Sequence, residues 1–179
     1  GMARNLHKAR RLRAVWIRTT TRSDELAAEL GVVAAANPAA LARDCDVIVL
    51  CVAADADVLA VVDALLPGLR AGALVIDCST VSADTAREAA RRLAARGGEF
   101  LDAPVSGGVE GARDGTLAIM AGGTESAFAR AQPVLQAMGR TVTHFGPSGS
   151  GQAAKATNQI MCAGVIQAVA EAMAFAKSQ

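Results

Sequence analysis

Three features of the 179-residue chain predict an α/β fold built on a mainly parallel sheet. Residues 46–52 and 73–77 are short apolar runs rich in Val, Ile and Leu, as expected of strands covered on both faces. Between such runs lie stretches of helical length bounded by capping residues, Gly or Pro. The two patterns alternate along most of the chain, and this is the order that parallel sheets require.

Each element has its own local reason. Met2-Ala3-Arg4-Asn5-Leu6 reads as the middle of a helix with no cap before it, and residues 12–17 follow as a strand. Residues 24–30 form a helix that Gly31 closes, and residues 32–36 a short strand. Residues 38–43 form a short helix with proline in its first turn. The strand 46–52 leads to a helix at 55–66, stopped by Pro67-Gly68. After the strand 73–77, Ser82 caps a helix to about residue 96, and Gly97-Gly98 ends it. Strands are expected at 99–105, 116–120 and 141–145, with a helix at 126–138.

The last helix starts near residue 150 and is apolar around nearly its whole circumference. Such a helix needs cover on both sides, so exposed apolar surface is expected, and with it either a homodimer through this helix or a poorly behaved chain.

Composition narrows the function. A net charge of +1 gives no electrostatic pull toward nucleic acid, and 3% aromatics without tyrosine leave few stacking platforms. No uninterrupted apolar run approaches the roughly 20 residues that span a bilayer. Neither nucleic acid nor membrane is an expected partner. Cys45, Cys51, Cys78 and Cys162 form no CxxC pair, and His7 and His144 are the only histidines, so no metal site is expected. Reduced thiols of this kind suit a cytoplasmic protein. The stretch from Arg4 to Arg22 is basic, with no acid before Asp24, and taken alone resembles a transit peptide or a nucleic-acid-binding arm. The helix and strand inside it point instead to a fold entered partway through.

Four polar tips directly follow strands: Arg18-Thr19, Val52-Ala53-Ala54-Asp55, Cys78-Ser79-Thr80 and Ser106-Gly107-Gly108. Ligands of open parallel sheets bind at these carboxyl ends. The sheet is Rossmann-like, yet no G-x-G-x-x-G turn follows any strand, and Gly149-x-Gly151 lacks the third glycine. Arg18 can pair with a ribose 2′-phosphate, and no acidic residue ends its strand to read a 2′-hydroxyl. Successive amides at Ser106-Gly107-Gly108 suit a carboxylate; the plainer reading is a tight glycine turn. Lys155 and Asn158, three apart on one helix face, can meet one small molecule. Either Lys155 snorkels from a helix end, or it has a chemical task.

The run Phe100-Leu101-Asp102-Ala103-Pro104-Val105-Ser106-Gly107-Gly108-Val109-Glu110-Gly111-Ala112 resembles the substrate-binding signature of the β-hydroxyacid dehydrogenases, with Gly115-Thr116-Leu117 and Gly122-Gly123 after it. That family includes 3-hydroxyisobutyrate dehydrogenase and tartronate semialdehyde reductase. Gly149-x-Gly151-Gln152-Ala153-Ala154-Lys155-x-x-Asn158-Gln159 is similar to its catalytic segment, and Ile76-Asp77-Cys78-Ser79-Thr80 and Val15-Trp16-Ile17-Arg18-Thr19 match further motifs. The likeness is collinear from Met2 to Gln179. It implies a 6-phosphogluconate dehydrogenase-like NADP-binding domain over 1–149, lacking its first strand and glycine turn. Residues 150–179 then form an interdomain helix leading to a helical domain that the chain does not contain.

The resemblance implies hydride transfer between a nicotinamide and a small β-hydroxy acid or its semialdehyde. Lys155 is the implied acid/base, and Asn158 holds the substrate oxygen or orients the lysine. Ala153, Ala154, Ala156 and Ile160 are expected to supply apolar surroundings for Lys155. Ser106, Gly107, Gly108 and Thr80 bind substrate; Arg18, Thr19, Val52, Ala53, Asp57 and Thr80 line the cofactor, NADP ahead of NAD. Two departures stand out: Arg10 replaces the glycine that usually closes the first helix, and Ile17 stands where NADP-preferring members often have asparagine. The alternatives are a non-catalytic nucleotide-binding or assembly module and, third, an imine reductase. By itself the 179-residue chain is expected to be nearly inert.

Overall fold

A computed structural model describes residues 1–179. The chain opens on α1 (Met2–Lys8), followed by β1 (Ala14–Val15), α2 (Thr20–Leu30), β2 (Val33–Ala34) and α3 (Pro38–Asp44). Next come β3 (Val47–Leu50), α4 (Asp55–Leu65) with a 3-10 turn at Leu66–Gly68, β4 (Leu74–Asp77), α5 (Ala83–Ala94) and β5 (Glu99–Asp102). The rest is β6 (Val105–Ser106), α6 (Gly108–Asp114), β7 (Leu117–Ala121), α7 (Glu125–Met138), β8 (Gly139–His144) and α8 (Ser150–Ser178). The α/β class holds, and β1–β2, β3–β4–β5 and β7–β8 all pair in parallel.

The sheet is split. β1 pairs only with β2, and β3 only with β4, so each keeps one unpaired edge. Residues of both strands line one cavity of about 740 Å³, closed on another side by Met2, Ala3 and Leu6 of α1. The strands thus form three sheets, β1–β2, β3–β4–β5 and β6–β7–β8, and the cavity lies between the first two. Val47 and Val49 are only half-buried, which corrects the expectation that β3 is covered on both sides.

Period-two alternation in β4 and β5 divides the core. Leu74, Ile76 and Leu101 pack with Leu6, Leu135 and Met138 on one face, while Val75 and Phe100 pack with Val58, Val62 and Leu93 on the other. Helices thus cover both faces of β4 and β5, whereas β3 keeps its edge and one face toward the cavity.

Two expectations change. The strand expected at 99–105 breaks at Ala103-Pro104: β5 stays in the parallel sheet, while β6 pairs antiparallel with β7. Proline donates no ladder hydrogen bond, and at this break the chain changes sheets. The helix α6 was not foreseen, because Gly108 and Gly111 mask its start. The Ser82 cap holds, its side chain accepting from the Thr85 amide; Asn37 and Thr124, not singled out from the sequence, cap α3 and α7 in the same way, accepting from the amides of Ala40 and Ala127.

α8 is a single 29-residue helix whose apolar window has a mean hydropathy of 1.5. It is long and apolar enough to cross a membrane, which qualifies the reading based on uninterrupted runs. Ile160, Met161, Val165, Ile166, Val169, Met173 and Phe175 all stand exposed along it.

Candidate active site

The carboxyl ends of β1, β3 and β4 gather at one side of the molecule, and hydrogen bonds tie their loops together. The Val52 amide, just past β3, donates to Ser79 Oγ past β4 at 2.8 Å. The Asp55 carboxylate accepts from the Ser82 amide at 2.9 Å and from the Thr85 hydroxyl at 2.6 Å. These donors hold Asp55 low, at about 2, the Thr85 hydroxyl contributing most.

At the β1 end, Arg18 is largely exposed and reaches Asp57 at 3.5 Å. Arg18, Val52, Ala53 and Asp57 line the cavity between β1 and β3, so these four expected cofactor residues are brought together. Thr19 instead serves as the N-cap of α2, without a side-chain hydrogen bond. Thr80 is exposed on the β4–α5 loop, outside that cavity.

At the other end stand Ser106, half-buried at the close of β6, and Gly107 and Gly108, with φ of 132° and 63°. Both angles favour glycine, which accounts for the pair at the entry to α6. Lys155 is buried at 7% exposure in the second turn of α8. Of the neighbours expected around it, Ala154 is half-buried, whereas Ala153, Ala156 and Ile160 are exposed. The burial of Lys155 comes from the packing of the first turns of α8 against β5, β7 and α5. Asn158 is half-buried, and its amide donates to Gln159 Oε1 at 3.2 Å rather than meeting Lys155.

How α8 is seated was not legible beforehand. Asp102, at the end of β5, accepts from the amides of Gly149 at 2.7 Å and Gln152 at 3.0 Å. A distant carboxylate thus serves the free N–H groups at the helix start, where negative charge is favourable. A Cβ on Gly151 would lie 2.3 Å from the Met120 carbonyl oxygen, and one on Gly122 2.6 Å from the Gly151 amide. Gly122 and Gly151 therefore permit the close packing of α8 on β7 and β5. Gln152, 3% exposed, accepts from the Val81 amide at 3.1 Å and donates to the Ser79 carbonyl at 2.8 Å.

Asp77 and Asp102 were overlooked, though an aspartate ending an apolar strand was a visible signal. Burial raises both carboxyls, Asp77 to about 6. Asp77 Oδ1 accepts from the Ser79 amide at 2.9 Å, whereas buried Oδ2 has no partner.

Residues 1–146 match the NAD-binding domain of 6-phosphogluconate dehydrogenase. The chain belongs to that family. Its similar proteins include 3-hydroxyisobutyrate dehydrogenases. It is 49% identical over 113 residues to a 3-hydroxyisobutyrate dehydrogenase of Pseudomonas aeruginosa, covering 63% of this chain and 38% of the relative. The mitochondrial 3-hydroxyisobutyrate dehydrogenase of Drosophila melanogaster is 38% identical over 179 residues, 99% of this chain and 55% of the relative. The solved structure of Mycobacterium tuberculosis 3-hydroxyisobutyrate dehydrogenase with L-serine superposes with a TM-score of 0.93 at 37% identity, over 99% of this chain and 60% of that one. The chain thus spans no more than about three fifths of these relatives. The match to an NAD-binding domain gives the chain a nicotinamide cofactor.

Proposed function

We propose that the protein carrying this chain transfers a hydride between a nicotinamide and a small β-hydroxy acid or its semialdehyde. One observation carries the reading: buried Lys155 lies in a helix hydrogen-bonded through Gln152 to the residues on either side of Thr80. Arg18, Val52, Ala53 and Asp57 would hold the adenosine end, and Thr80 the nicotinamide end. When bound, the nicotinamide supplies the hydride acceptor or donor.

Lys155 would hold or release the proton of the substrate hydroxyl, and Asn158 would fix the same oxygen. The Ser106 hydroxyl and the amides of Gly107 and Gly108 would bind the substrate carboxylate. Arg18, together with the absence of an acid at the end of β1, supports NADP over NAD. The exposed apolar side of α8 supports association with a second copy. Light scattering that finds only a well-behaved monomer at low salt would rule that association out.

The test replaces Lys155 with Met in the full-length protein. Turnover of 3-hydroxyisobutyrate and related β-hydroxy acids should fall at least a hundredfold, with NADP affinity within threefold of wild type. Retained turnover would remove Lys155 from the reaction.

A further inference from the structure

We propose that Gln152 is a positioning residue that couples Thr80 to Lys155. The inference rests on the dehydrogenase reading and gives a task to a side chain outside its catalytic set. Gln152 is held at three points. Its backbone amide donates to Asp102 Oδ2, its Oε1 accepts from the Val81 amide, and its Nε2 donates to the Ser79 carbonyl.

The two side-chain bonds fall on the residues immediately before and after Thr80. A carboxamide presents a donor and an acceptor side by side, and here they meet the carbonyl and amide that bracket one exposed residue. Gln152 and Lys155 are three residues apart in α8 and so share a helix face. Any movement of the α8 start is therefore passed to Thr80, and the nicotinamide-side and proton-handling groups keep one spacing. Ser79 carries the linkage on to β3 by accepting from the Val52 amide. All of these bonds are buried or half-buried, where an unmade hydrogen bond is costly.

Small errors in reactant placement cost rate more than affinity, which sets the signature to be measured. In the full-length protein, Gln152→Met keeps the side-chain length and removes both bonds. Amide exchange at Val81 should accelerate at least tenfold, while Val75 and Ile76 in β4 keep wild-type protection. The kcat should fall at least tenfold, with the substrate KM within twofold of wild type. Gln152→Glu keeps the acceptor toward Val81 but sets a carboxylate oxygen against the Ser79 carbonyl, so its kcat should fall at least as far as that of Gln152→Met.

Unchanged Val81 exchange would overturn the proposal. So would faster exchange with wild-type kcat, or loss of protection spread through β4. A wild-type protein that transfers no hydride would instead overturn the dehydrogenase reading; Val81 exchange would still decide whether Gln152 holds the loop.

Discussion

Asp77 and Asp102 stand opposite each other in the register of β4 and β5, both fully buried at the strand ends. Burial raises Asp77 to about 6, and the Asp102 charge adds to the rise. Between about pH 4 and pH 6 the folded chain holds a proton that the unfolded chain has released. Stability is therefore greatest on the acid side of this window and falls as pH rises through it, levelling off above about 6. Asp77→Asn should shrink this decline and leave the part that Asp102, also raised by burial, contributes. Thermal melts at about pH 4.5 and pH 6.5 check it, and an equal decline in the variant would move the effect to another group.

Asp55 has the opposite sign. Its carboxyl is held at about 2 by Thr85 and Ser82, so its stabilisation is present above the ordinary 3.8 and lost as pH falls toward 2. Asp55→Ala should cost about 1 kcal/mol near neutrality. The gap in melting temperature between variant and wild type should close as the pH is lowered from about 5 to 2.

Arg10 ends α1 in the left-handed region, at φ 57°. The Arg11 amide donates to the Leu6 carbonyl and the Arg10 amide to that of His7, the closing pattern in which glycine is usual. Arg10→Gly should therefore stabilise the chain by about 1 kcal/mol, measured as a higher denaturant midpoint. A lower midpoint would show that the arginine side chain contributes more than its backbone strain costs.

Gly151 and Gly164 lie in the same helix and should respond in opposite ways. A Cβ on Gly151 collides with the Met120 and Asp102 carbonyls, whereas one on Gly164 meets nothing within 4 Å. Gly151→Ala should cost about 3 kcal/mol, because backbone cannot move aside as a side chain can. Gly164→Ala should favour the helix by about 1 kcal/mol. Circular dichroism and chemical denaturation of both variants separate the two effects.

The sequence by itself determined the α/β class, the order of nearly all elements, the Ser82 cap and the motifs that place the chain in its family. Those signals are local: apolar periodicity, caps and turn residues act within a few positions of one another. Only the tertiary structure decided that the sheet divides between β1 and β3, that residues 99–105 break between two sheets, and that Lys155 is buried by packing at the start of α8 rather than by its helical neighbours. The same holds for Asp102 at the head of α8 and for Gln152 around Thr80. Their partners are 47 to 73 residues away, and no local pattern encodes a hydrogen bond between groups that meet only when the strand ends assemble.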